Sequence, residues 1–211
     1  MHSLSWDTNP GAISILVITL VFSIAGLANE YFKEECMLHP WSVSRGKRVY
    51  TLVTSGLVHA NLSHLAFNMF TYWFFAFLLE KYFLGTRGFV LLYLAGLLLC
   101  DIPTIVKQRN RQGYYSLGAS GAISAVLFCM IVFYPTMGIG MLFLPIHIPG
   151  YVFGVLYLLY TTYAANQQSG NINHDAHLYG AITGIAMAFI LNFNEASQVI
   201  HKIVQNGFHL Q

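Results

Sequence analysis

The sequence predicts an all-α membrane protein of six transmembrane helices, on three observations. Of its 211 residues 56% are hydrophobic and only 9% charged, where a soluble domain carries about 25% charged residues. Mean hydropathy is +0.58, so polar side chains are too few to cover a water-facing globule, and lipid is the alternative solvent. The apolar residues also gather into six runs, 13–28, 62–79, 89–106, 119–134, 151–165 and 176–193. These runs are continuously apolar instead of alternating, and an open sheet in lipid would leave backbone groups unpaired, so each run is a helix.

The first run follows a tail without Lys or Arg and lacks a small-residue cleavage site, which predicts a retained span and not a signal peptide. Residues 29–58 then form the longest connection. With Pro40, Trp41 and the basic residues Lys33, Arg45, Lys47 and Arg48, this loop is long enough for interfacial structure of its own. A ~30 Å hydrocarbon layer takes ~20 residues of helix, with ~17 tolerated. Several runs lie at that short end, which predicts helices that begin or end below the membrane surface. No soluble domain, low-complexity tract or repeat is evident, and residues 1–211 read as a single membrane domain.

Charge excludes other classes. The formal net charge is +2, and no run of Lys or Arg is long enough for a nucleic-acid partner. Cys36, Cys100 and Cys129 are far apart, without CxxC or metal spacing, and read as small hydrophobes. Loops after odd-numbered runs hold seven basic residues (Lys33, Arg45, Lys47, Arg48, Lys107, Arg109 and Arg111) against Lys81, Arg87 and Lys202 on the other side. Counted alone, that bias puts the odd loops in the cytoplasm.

Polar residues inside apolar runs are costly and therefore mark candidate sites. In the second run, "VHANLSHLAFNMF", His64 and Asn68 are four residues apart and share a helical face. His59 belongs to the helix start. Packing by interhelical hydrogen bonds explains the pair as well as a site does. His59 and His64 share no face, and no HExxH carboxylate lies between them, which argues against metal. In the sixth run, His177, Gly180 and Gly184 form one stripe, and the GxxxG pair allows close helix approach. Asp175 reads as a helix cap. In the fourth, "YSLGASGAISAV" fits small-residue packing. Ser120, between Gly118 and Gly121, nevertheless sits where free backbone N–H groups and the positive helix end could hold an oxyanion. Acyl transfer needs a nucleophile, a base and oxyanion donors, and Ser120, His177 and the His64/Asn68 face provide one of each. With no well-placed aspartate, a Ser–His dyad is expected over a triad.

At these residues the chain resembles the rhomboid family of intramembrane serine proteases, of the compact six-helix prokaryotic type. H-x4-H-x3-N appears as His59, His64 and Asn68, G-x-S-G as Gly118 to Gly121, and A-H-x2-G-x3-G as Ala176, His177, Gly180 and Gly184. The three motifs stand in the family's order on the second, fourth and sixth runs. The resemblance implies a rhomboid-like bundle with Ser120 as nucleophile and His177 as general base and acid. His64, Asn68 and the Ser120 N–H would line the oxyanion hole, Gly118, Gly121 and His59 would line the site around it, and His59 would also help hold the first loop and nearby water. It implies single-span membrane proteins as substrates, a lipid bilayer as environment, and no metal or diffusible cofactor. It also implies a multi-pass protein of a prokaryotic plasma (inner) membrane with a cytoplasmic N-terminus, against the charge count. Residues 166–175, "NQQSGNINHD", are polar enough to gate His177.

The chain departs from the family pattern at two places. Tyr50 and Thr51 stand where the family often has Trp-Arg, with Arg48 slightly upstream. Ser124 stands where an aromatic residue often packs on the catalytic histidine, so another residue must orient His177. Two rival readings are a catalytically silent relative that binds membrane clients, and a small transporter. Silent relatives usually lack the serine or the histidine, and a transporter should show interrupted helices in two related halves.

Overall fold

The computed structural model describes residues 6–140, 147–167 and 172–207. Its helices are α1 (Pro10–Ala28), α2 (Glu30–Cys36), α3 (Pro40–Val43), α4 (Thr51–Thr54), α5 (Leu62–Leu79), α6 (Gly85–Leu99), α7 (Ile102–Gln108), α8 (Ser120–Phe133), α9 (Gly150–Gln167), α10 (His174–Leu191) and α11 (Phe193–Asn206). A small antiparallel ribbon, β1 (Gly138–Gly140) with β2 (His147–Pro149), lies between α8 and α9.

The apolar runs became helices nearly where expected, with one correction. The third run does not continue to 106. It ends as α6 at Leu99 and resumes as α7, with Pro103 in the first turn, because proline lacks the N–H that a continuing helix needs. Among the described residues two helical stretches are long and apolar enough to cross a membrane, Pro10–Ala28 and the 47-residue stretch Leu62–Gln108. Taken straight, 47 residues would reach ~70 Å, over twice the hydrocarbon thickness. The stretch instead turns at Gly85, whose φ of +62° suits glycine.

Contacts set the helix directions. The Asn9 amide donates to the Phe77 carbonyl at 2.8 Å, while Ser23, near the far end of α1, meets His59 just before α5 at 2.8 Å. Thus α5 runs antiparallel to α1. Thr86 and Val90 flank Gly11, and Leu97 flanks Gly56, so α6 returns alongside α1. On α8, Gly121 lies against Cys100 and Phe133 stacks on Phe83 at 5.0 Å, so α8 opposes α6. Gly150 and Gly154 of α9 meet Ile131 of α8, and Ser124 meets Tyr157, so α9 opposes α8. Successive long helices alternate in direction.

At one end of the bundle the fully buried Glu80 carboxylate accepts the N–H groups of Gly11 and Ala12 at 2.9 and 2.7 Å. A negative group at the positive end of α1 satisfies two donors that the helix cannot satisfy itself. Centrally, α8 is apolar on all sides and almost wholly buried, which fits a helix surrounded by others. The 29–58 connection is ordered as α2, α3, α4 and a 3-10 turn. Arg48 donates to the carbonyls of Glu34 and Glu35 at 2.7 and 2.8 Å, closing the end of α2. Thr51 is fully buried, its hydroxyl donating to the Arg48 carbonyl at 2.6 Å. The loop is therefore tied by Arg48, upstream of the expected tryptophan–arginine position, and by Thr51, which stands within it.

Candidate active site

Ser120 is the first residue of α8, following Ala119 at the cap. The turn before it requires Gly118, whose φ is +116° and whose missing Cβ is replaced by the His64 ring, 2.7 Å from where that Cβ would stand. This turn is pinned by the Gly118 N–H donating to the Ser55 carbonyl at 2.8 Å and by reciprocal backbone bonds between Leu38 and Ser116. The first loop thus fixes the approach to Ser120.

His177 lies one turn into α10, and α10 crosses α8 at backbone contact. A Cβ on Gly180 would collide with the Gly121 carbonyl, and one on Gly184 with that of Ala125. The close approach brings His177 Nε2 to 2.7 Å from Ser120 Oγ. Packing seam and polar pair are one arrangement, not alternatives.

Both residues line a cavity of about 810 Å³ shared with His64 and Asn68. Asn68 is buried, and its Nδ2 has no hydrogen-bond partner among the described residues. A buried donor left unpaired costs about 1–3 kcal/mol, which makes Asn68 a candidate donor to a group bound in the cavity. As the first residue of a helix, Ser120 also has an N–H without an intrahelical acceptor.

The remaining expected residues fall elsewhere. Gly118 and Gly121 shape the backbone behind the wall. His59 does not line the cavity, contrary to expectation. It is fully buried, bonded through Nδ1 to Ser23 Oγ at 2.8 Å and through Nε2 to the Ala119 N–H at 3.4 Å. Since Ser23 donates to the Leu57 carbonyl, its oxygen is left to accept, so His59 Nδ1 donates and Nε2 accepts. His59 therefore ties α1 to the turn before Ser120. Asp175 is not the cap of α10. Asn173 caps it, accepting the Ala176 N–H at 3.1 Å, while Asp175 pairs with Lys107 of α7 at 2.6 Å.

Sequence reasoning did not find Tyr157, Asn173 or His174. Tyr157 of α9 holds its ring at 23° to that of His177, centroids 6.5 Å apart, and its hydroxyl meets Ser124 Oγ at 2.7 Å. The small Ser124 thus makes room for, and bonds to, an aromatic residue from the next helix. Asn173 also donates to Ser116 Oγ at 3.1 Å and accepts from Thr104 at 3.0 Å, binding α10 to the loop before Ser120. His174 is buried on the cavity wall, one turn before His177. Of the polar segment 166–175, residues 168–171 lie outside the described residues, whereas 172–175 line the cavity. Among the described residues no group of three or more His, Cys, Asp or Glu side chains is arranged for a metal ion.

Comparison with known proteins agrees with these motifs. A family model described as "Rhomboid domain" matches residues 46–193. The chain is 28% identical to "Putative rhomboid protease YdcA" of Bacillus subtilis, covering 82% of each protein. It is 27% identical to "RHOMBOID-like protein 12, mitochondrial" of Arabidopsis thaliana over 83% of this chain, and spans 58% of that relative's length. With the rat "Presenilin-associated rhomboid-like protein, mitochondrial" it shares 32% identity over 64% of this chain and 36% of the relative. A match over most of the chain, carrying all three polar motifs, makes this protein a member of the rhomboid family of integral membrane proteins.

Proposed function

We propose that this protein is an intramembrane serine endopeptidase that cleaves single-span membrane proteins with a Ser120–His177 dyad. The observation that carries the reading is the 2.7 Å contact between His177 Nε2 and Ser120 Oγ, on the wall of a cavity that also presents the unpartnered Asn68 amide. In the productive tautomer the His177 proton sits on Nδ1, so Nε2 takes the serine proton as Oγ attacks the scissile carbonyl carbon. The negative oxygen of the tetrahedral intermediate accepts from Asn68 Nδ2, the Ser120 N–H and His64. His177 then protonates the leaving amine, and water, deprotonated by the same imidazole, releases the acyl group.

Six crossings, by α1, α5, α6, α8, α9 and α10, fit this chemistry. At 14 residues α8 is ~21 Å long, short of the ~30 Å hydrocarbon layer. Its N-terminal serine therefore lies below the surface, and the cavity carries water down to it. The protein resides in a prokaryotic plasma membrane with its N-terminus cytoplasmic and the cavity opening on the opposite side. The silent-relative reading is disfavoured by the retained serine and histidine.

The test is reconstitution in lipid with a fluorescent single-span substrate. Wild type cleaves it, and Ser120→Ala and His177→Ala do not. A fluorophosphonate labels wild type and not Ser120→Ala. Cleavage surviving either substitution would overturn the dyad, and an unlabelled wild type would overturn the nucleophile.

A further inference from the structure

Beyond the site, α11 is the element that the proposed chemistry does not use. A bend of 106° separates it from α10 across the single residue Asn192. That bend is built in. Asn192 donates to the Phe83 carbonyl at 2.9 Å and accepts the Glu195 N–H at 3.3 Å, so one side chain both anchors the corner to the turn before α6 and caps α11. The corner lies at the end of the bundle that holds Glu80 and Phe133, opposite Ser120.

Around α11 three environments follow one another on the helical wheel. Ala196 and Val199 are buried, Ala196 within the main core. Phe193, Ile200 and Val204 make a neighbouring apolar stripe, exposed by 65%, 45% and 77%. Asn194, Gln198, Lys202 and Gln205 occupy the remaining exposed arc. A helix that meets protein, a second apolar medium and water on successive arcs belongs at a boundary.

We infer that α11 is a membrane-surface helix, with Phe193, Ile200 and Val204 sunk in the headgroup boundary of the leaflet opposite the cavity mouth. The inference rests on the reading of α10 as a membrane crossing. Because α10 crosses and α11 turns almost perpendicular to it, the α11 axis lies in the bilayer plane. The stripe continues the lipid-facing surface of α10, whose Ile190 is 72% exposed just before the corner. An amphipathic helix in this position buries its apolar face about 5–10 Å into the boundary. A second copy of the chain is a poor occupant, since three side chains fall far short of the ~800 Å² per partner that a stable interface buries. With Lys202 its only lysine or arginine, α11 is held by apolar burial and not by anionic lipid.

The test places single cysteines by Ile190→Cys, Gln198→Cys and Val204→Cys, each carrying an environment-sensitive fluorophore, in the full chain reconstituted in phosphatidylcholine vesicles. The native Cys36, Cys100 and Cys129 are buried and stay unlabelled. Labels at 190 and 204 should be quenched by spin-labelled lipid, with 204 the shallower, and the label at 198 by aqueous iodide. If 190 is lipid-quenched while 204 is reached by iodide, or is shielded from both quenchers by protein, the surface-helix inference is overturned and the crossing by α10 stands. If 190 is not lipid-quenched either, the crossing itself falls.

Discussion

Asn68 and Tyr157 show how differently two side chains of one site reveal themselves. Asn68 is visible in the sequence because a carboxamide in an apolar run is expensive and shares a face with His64. Its Nδ2 is buried and has no partner among the described residues, and in the proposed reaction it donates to the oxyanion. Replacing Asn68 by Ala should lower kcat about 10²–10³-fold with little change in KM, the loss typical of one oxyanion donor. Steady-state cleavage of a single-span substrate measures this, and a change confined to KM would remove Asn68 from that role. Tyr157 carries no such signature, since a tyrosine in an apolar helix is ordinary. Only the fold sets its ring beside His177 and its hydroxyl on Ser124. Tyr157→Phe keeps the ring and should retain most activity. Tyr157→Leu should lower kcat tenfold or more and slow fluorophosphonate labelling equally. Equal rates for both variants would refute a positioning role for the ring.

Among the elements, the pairing of α8 with α10 sets the geometry of the candidate site. Glycine at 180 and 184 lets α10 approach the carbonyls of Gly121 and Ala125, and the hydrogen bond between Ser120 and His177 depends on that distance. Gly184→Val should push the helices apart and abolish fluorophosphonate labelling even where the protein still purifies as a folded species. Full labelling would show that the seam is not what brings the dyad together. The GxxxG signal was legible, as were the bounds of α5 and nearly those of α8. The break between α6 and α7 was not anticipated, because hydropathy continues through Ile102, Thr104 and Ile105 while Pro103 interrupts the hydrogen bonding. Asp175 reads as a cap from the sequence because capping is local, whereas its partner Lys107 is 68 residues away.

For the whole molecule, the end of the bundle opposite the site is tied by buried side-chain hydrogen bonds. Glu80, fully buried, joins the end of α5 to the start of α1, and Tyr72 donates to the Ala12 carbonyl at 3.0 Å. Glu80→Ala would leave two buried N–H groups without an acceptor and should cost about 2–5 kcal/mol, read as a lower Tm in detergent. Glu80→Gln, which can still accept, should lose less. An unchanged Tm for Glu80→Ala would show that this carboxylate does not hold the two helices. The cavity end is built differently, from loops tied by single side chains such as His59, Arg48 and Asn173. In the proposed reaction these loops are the elements past which a substrate would enter and leave.

By itself the sequence determined the solvent, the helical class, the apolar segments and the three polar motifs, because each follows from local composition or spacing along one helix. Tertiary structure alone decided that Ser120 and His177 lie within a hydrogen bond, that His59 supports the turn instead of lining the cavity, and that Tyr157 flanks the imidazole. Those facts depend on distances between residues 33 to 60 positions apart along the chain. Such distances are fixed by helix packing, to which local hydropathy is blind.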